Sequence, residues 1–218
     1  MRLQRSLVIG TAAAISVLGL TGTAQAHGGG HHGDDRAQVI KVEDDCEQAS
    51  FDAVFGEGTC VGDGDTTFDD FFAEFQATGQ VDGWEFDPYW VRIDRGQSIT
   101  ADNVGGEFHT FTRVRHFGDA CVPQLNLGRQ PVIAECADPE GPIAGALFGL
   151  TGIAPGGELT FTSEGVEPVD DLNPGGVGPK GFEQTLQPGK NRFECLIHPW
   201  MRAVVIVDGN GHGGHGHH

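Results

Sequence analysis

The chain has 218 residues, with 31 acidic against 13 basic side chains and a formal net charge of −18. A surface of that sign repels nucleic acid and anionic membranes, which excludes a nucleic-acid binder or a protein held on lipid by charge. After the first 20 residues no apolar stretch is long enough to span a membrane, so membrane insertion is not expected either.

Arg2 and Arg5, an apolar run from Leu7 to Leu20, and Ala24-Gln25-Ala26 have the layout of an export signal ending at a small-x-small cleavage site. Residues 1–26 are read as this signal, which predicts an extracytoplasmic, periplasmic or secreted, mature protein. Cleavage leaves 192 residues at a net charge of −20, enough for one domain with extensions. Residues 27–35 and 209–218 are Gly/His tracts that cannot bury a core. Loose capture of a metal and simple solvation are both open readings for them.

Residues 36–80 form an acidic extension. Phe68, Phe71, Phe72 and Phe75 recur at i, i+3, i+4 and i+7, predicting one short helix with Thr66 or Thr67 at its start and Gly79 at its end. Asp63, Asp65, Thr67 and Glu74 occupy positions 1, 3, 5 and 12 of a calcium-loop pattern, but position 6 is Phe68 where the sharp turn needs Gly, so the pattern is weak.

Residues 81–208 have the texture of a β domain. Alternation over Tyr89–Asp94, Ser98–Thr100 and Glu158–Thr162, a run from Phe108 to Val114, and three closing stretches (Phe182–Leu186, Asn191–Cys195, Arg202–Val207) predict strands. Gln187-Pro188-Gly189-Lys190 predicts a turn. Residues 115–157 are broken by Gly and Pro and read as an excursion from the sheet, with Ala146, Leu147, Phe148 and Leu150 as its own small core. Many short strands with such punctuation predict an all-β Greek-key sandwich preceded by an extension containing a short helix.

Five cysteines in an exported chain leave one unpaired. The simplest pairs are Cys46 with Cys60 and Cys121 with Cys136, which leaves Cys195 as the free thiol. Cys195 lies in Cys195-Leu196-Ile197-His198-Pro199-Trp200-Met201, where Met201 is the one Met besides Met1. Away from the tracts there are only three His: His109, His116 and His198. His116 is seven residues beyond His109 and faces the other way on a continuous strand, so His109 is the better partner for the loop. One thiolate, two imidazoles and one weak thioether form the donor set of a mononuclear copper site. The alternatives are an inert buried thiol, satisfied histidines and a core methionine, and together they require four independent coincidences. Phe111, Phe193 and Trp200 are candidates for the apolar surroundings of the site, and Trp200 could equally face outward beside His198.

The Cys-x-x-His-Pro-x-Met loop, with the strand textures around it, resembles the plastocyanin/azurin-type cupredoxins, and the loop is most similar to amicyanin. The resemblance implies one type 1 copper ion held by His109, Cys195, His198 and Met201, and one-electron transfer near the edge of His198. The negative charge steers toward a redox protein with a basic docking surface, and too few interior His to build a further copper centre predict no enzymatic activity. The separation of 86 positions between His109 and Cys195, and the acidic extension, depart from small plastocyanins. Copper oxidases and nitrite reductases commonly place a His beside the type 1 Cys, whereas Cys195 is flanked by Glu194 and Leu196. The other reading compatible with the loop and the His tracts is a protein that buffers or delivers extracytoplasmic copper.

Overall fold

A computed structural model describes residues 37–136, 149–163 and 185–209. The expected export signal, nearly all of both Gly/His tracts, Ala146–Phe148 and most of the expected Phe182–Leu186 strand lie outside them.

Two four-stranded mixed sheets pack around one apolar core as a β-sandwich. The first has the order β2 (Glu85–Asp87), β1 (Gln38–Glu43), β4 (Ser98–Asn103), β8 (Glu158–Thr162), and the second β3 (Trp90–Asp94), β10 (Arg202–Asp208), β9 (Gly189–Glu194), β6 (Thr112–Val114). A short pair joins β5 (His109–Thr110) to β7 (Gly152–Ile153). Strict alternation puts Ala203, Val205 and Val207 of β10 inward, facing Ile40 and Val42 of β1 and Ile99 and Ala101 of β4 in one apolar core. Phe111 stacks on Phe193 at 4.2 Å between ring centroids, and Phe161 meets Phe193 edge-on at 5.0 Å. Each such fully buried ring contributes about 1.5–3 kcal/mol.

The expected run from Phe108 to Val114 is two strands. His109–Thr110 pairs with β7, the Phe111 N–H donates to the Thr151 carbonyl, and Thr112–Val114 then pairs with β9. Because the chain changes partners at Phe111, both of its faces are covered and Thr110, Phe111, Thr112 and Val114 are all buried. The turn expected at 187–190 is shorter, with β9 already under way at Gly189.

The acidic extension contains more than its one expected helix. Gln38–Glu43 is a strand inside the first sheet, parallel to β4 and antiparallel to β2. Its alternation was hidden by Lys41 and Glu43 among only a few apolar residues. A first helix, α1 (Gln48–Phe55), precedes the expected α2 (Phe68–Thr78). The Glu47 carboxylate accepts from the N–H groups of Ala49 and Ser50, capping α1 in place of the usual Ser, Thr, Asp or Asn. Thr67, rather than Thr66, caps α2, its hydroxyl accepting from the Asp70 N–H at 3.2 Å. Gly79 ends α2 in the left-handed conformation at φ 84°, which favours glycine. The calcium pattern does not make a loop: its positions from Phe68 to Glu74 are helical, and Glu74 Oε1 accepts from the Asp82 N–H.

Both expected disulfides are present, Cys46–Cys60 and Cys121–Cys136, and Cys195 is free and buried. Among the described residues no helix is long and apolar enough to cross a membrane.

Candidate metal centre

The free thiol sits at the end of β9, where the chain turns back into β10. The Cys195 N–H donates to the Met201 carbonyl at 3.1 Å and the Met201 N–H to the His198 carbonyl at 3.0 Å, so the loop is fastened at both ends. Pro199 restricts the backbone between them. Two outside contacts hold the loop in place: the Leu196 N–H donates to Thr110 Oγ1 at 2.7 Å, and the Leu196 carbonyl accepts from the N–H of disulfide-bonded Cys121 at 2.9 Å.

The structure brings His109, Cys195 and His198 together with every ligand atom within 4.8 Å of the others, and all three are buried. The Cys195 sulfur lies 3.9 Å from His109 Nδ1 and 4.0 Å from His198 Nδ1. A metal about 2.3 Å from sulfur and about 2.0 Å from nitrogen spans such a gap at a sulfur–metal–nitrogen angle of roughly 130°, wider than tetrahedral and suited to a trigonal His2Cys arrangement. Met201 is 1 % exposed in the same loop, adjacent to the cluster through its backbone bonds to Cys195 and His198. His116 is exposed and takes no part in this group.

The donor chemistry fits a thiophilic metal. Burial alone would push the Cys195 thiol up, but the two imidazoles facing its sulfur outweigh that and hold it well below the usual thiol range. The thiolate that a metal requires is therefore favoured within the folded protein.

The partner behind His109 is marked by no motif. Asp44, at the end of β1, has a fully buried carboxylate whose Oδ2 lies 2.9 Å from His109 Nε2. Asp44 accepts three more hydrogen bonds, from the Gly106 and Glu107 N–H groups at 3.0 Å each and from the Cys46 N–H at 3.3 Å. A carboxylate only accepts, so Nε2 donates to Asp44, and in the neutral ring that a metal requires Nδ1 presents its lone pair toward Cys195. Burial opposes charge on both groups, yet their pairing lowers Asp44 below its ordinary range and, with the Cys195 thiolate, raises His109 to about 10. Gly105 is required here, because a Cβ at that position would collide with Asp44 Oδ2. In the sequence Asp44 is one of several consecutive acids, indistinguishable from solvated charge.

His198 is covered as well. It is only 3 % exposed, with Trp200 at 5.3 Å and Phe71 of α2 at 6.1 Å between ring centroids. Trp200 in turn packs on Phe75, so the alternative of an outward-facing Trp200 gives way to a place under the helix. Glu107 closes the remaining side: its Oε2 accepts from Trp84 Nε1 at 2.6 Å and lies 3.9 Å from His198 Nε2, and burial raises its pKa. Phe111 and Phe193 lie deeper, in the core between the sheets.

A β-sandwich with a buried His2Cys group at one end is the architecture shared with cupredoxins, and the described chain resembles that class. Comparison with solved structures gives likenesses of the same kind. A purple cupredoxin from Nitrosopumilus maritimus is 12% identical, with 78% of this chain and 99% of that one covered and a TM-score of 0.35. A reduced amicyanin variant is 15% identical over 59% of this chain and 78% of its own, with a TM-score of 0.29, and an oxidised one is 13% identical over 57% and 73%, with a TM-score of 0.28. No protein-family model matches the chain, and no curated protein sequence matches it. At these identities and scores the likenesses carry no argument about function, which rests on the geometry above.

Proposed function

We propose that this is an exported type 1 copper protein that carries single electrons between redox partners, with copper held by His109, Cys195, His198 and Met201. The observation that carries this reading is the buried, free Cys195 sulfur facing two Nδ1 atoms at 3.9 and 4.0 Å. Copper bound there would supply a one-electron couple, and the chain's own residues supply its constancy of geometry. Asp44 fixes the His109 ring, the Thr110 hydroxyl and the Cys121 N–H fix the loop, and the apolar cover excludes water. Glu194 and Leu196 beside Cys195 offer no imidazole path to a further centre, which supports a carrier over an oxidase. The leader-like residues 1–26 and the two disulfides support an extracytoplasmic location.

Adding Cu(II) to the purified metal-free protein is expected to give an intense visible thiolate charge-transfer band and reversible one-electron voltammetry. A colourless product would overturn the type 1 assignment. The runner-up, copper buffering or delivery, is favoured by seven of the ten histidines falling in the terminal tracts. Transfer of copper to an acceptor protein without redox turnover would support it instead.

A further inference from the structure

If electrons leave the site, the bare edge of His198 is not their exit, because α2 and Trp200 lie over it. What covers His198 has an unusual surface. From Val42 to Val91 the chain has fourteen Asp and Glu and no Lys or Arg. Within that stretch Phe55 is 61% exposed and Phe72 39%, large apolar side chains left out of the core. They are not isolated. Phe55 meets Phe68 at 5.1 Å between ring centroids, Phe72 meets Phe68 at 6.0 Å, Phe68 meets Phe71 at 6.2 Å, and Phe71 meets His198 at 6.1 Å. The exposed pair is thus the outer end of a continuous run of rings whose inner end is a metal ligand.

Glu57, Asp69 and Asp70 are exposed in the same helical region. An apolar centre with a charged rim is the anatomy of a protein interface, and negative charge speeds encounter with cationic surfaces. The same charge opposes a second copy of this chain as the occupant.

We propose, resting on the carrier reading above, that the α1–α2 face around Phe55 and Phe72 is the docking surface for a one-electron redox protein with a basic rim around its cofactor. The electron crosses through Phe68 and Phe71. In the forward direction Cu(I) becomes Cu(II) and the partner's cofactor, for example a ferric haem, gains one electron. No bond or proton changes place.

The test uses the full copper-loaded protein. Its reduced form is mixed in a stopped-flow instrument with a basic ferric c-type cytochrome, at low and high ionic strength. The variants are Phe55→Ser with Phe72→Ser, Glu57→Lys with Asp69→Asn, and, as a control outside the helices, Glu158→Lys on β8. An unchanged visible band and potential show that each variant is folded with its site intact. Both face variants are expected to lower the second-order rate constant about tenfold or more at low salt, with the charge variant flattening its salt dependence and the control changing it little. Unchanged rates in the face variants, or an equal loss in the control, would overturn the docking surface while leaving the carrier reading standing. Reversible voltammetry without electron exchange by the unmodified protein would instead remove the carrier reading, and this proposal with it.

Discussion

The ligand loop and the helical cover meet at His198 but are built on different terms. The loop, Cys195 to Met201, supplies thiolate and imidazole, and directed hydrogen bonds fasten it at both ends and to Thr110 and Cys121. The cover, α1 and α2, supplies no ligand, and meets the site through rings alone. Directed donors must be of one chemical type, whereas a cover needs only shape and apolarity. The loop therefore decides whether a metal binds, and the cover decides what can reach it.

The sharpest way to break that division is Cys195→Ala, which is expected to abolish the visible band entirely, since no other free thiol exists among the described residues. A residual band in that variant would show a second thiolate source. Phe71→Ala attacks the other side. It should cost about 3–5 kcal/mol in chemical denaturation and speed oxidation of the reduced site by small reagents, as His198 becomes reachable. A full stability loss without faster oxidation would mean that the cover does not control access.

Met201→Leu is expected to keep both copper and the band while raising the potential, because a neutral hydrocarbon stabilises Cu(II) less than a thioether does. Loss of metal would contradict a weak axial role. Asp44→Asn removes a negative charge behind His109 while preserving an acceptor. The potential should rise on the order of 60 mV, equivalent to about 1.4 kcal/mol in a one-electron couple, with the band position nearly constant. Smallest is Thr67→Ala, which takes away the α2 cap and should lower stability by about 1 kcal/mol with spectrum and potential unchanged.

The contrast between loop and cover also explains what was legible in the sequence. His109, Cys195 and His198 could be chosen because cysteine pairing left one thiol and the interior held only three imidazoles, and the structure brings those three together. The α2 helix was legible because its four Phe fall on one face. Gln38–Glu43 was not, because a short strand carrying Lys and Glu outward looks like the charged segment around it. Asp44 was hidden for a related reason: what distinguishes it from Asp45 is long-range, a ring 65 positions away and the space left by Gly105. The break at Phe111 was equally out of reach, since the residues on either side have the same β texture and only their pairing partners differ.

The place of β1 between β2 and β4 bears on how the pocket comes into being. β1 precedes both of its neighbours in the chain, so it stays unpaired until residues 85–103 have followed it. Asp44 waits with it for His109, and His109 waits for a sulfur 86 positions further on. The pocket is therefore a meeting of the beginning, middle and end of the chain, and such non-local closures come late in folding. Removing the first strand would take out a central member of the sheet together with the anchor of one ligand, leaving a fastened loop without an oriented His109.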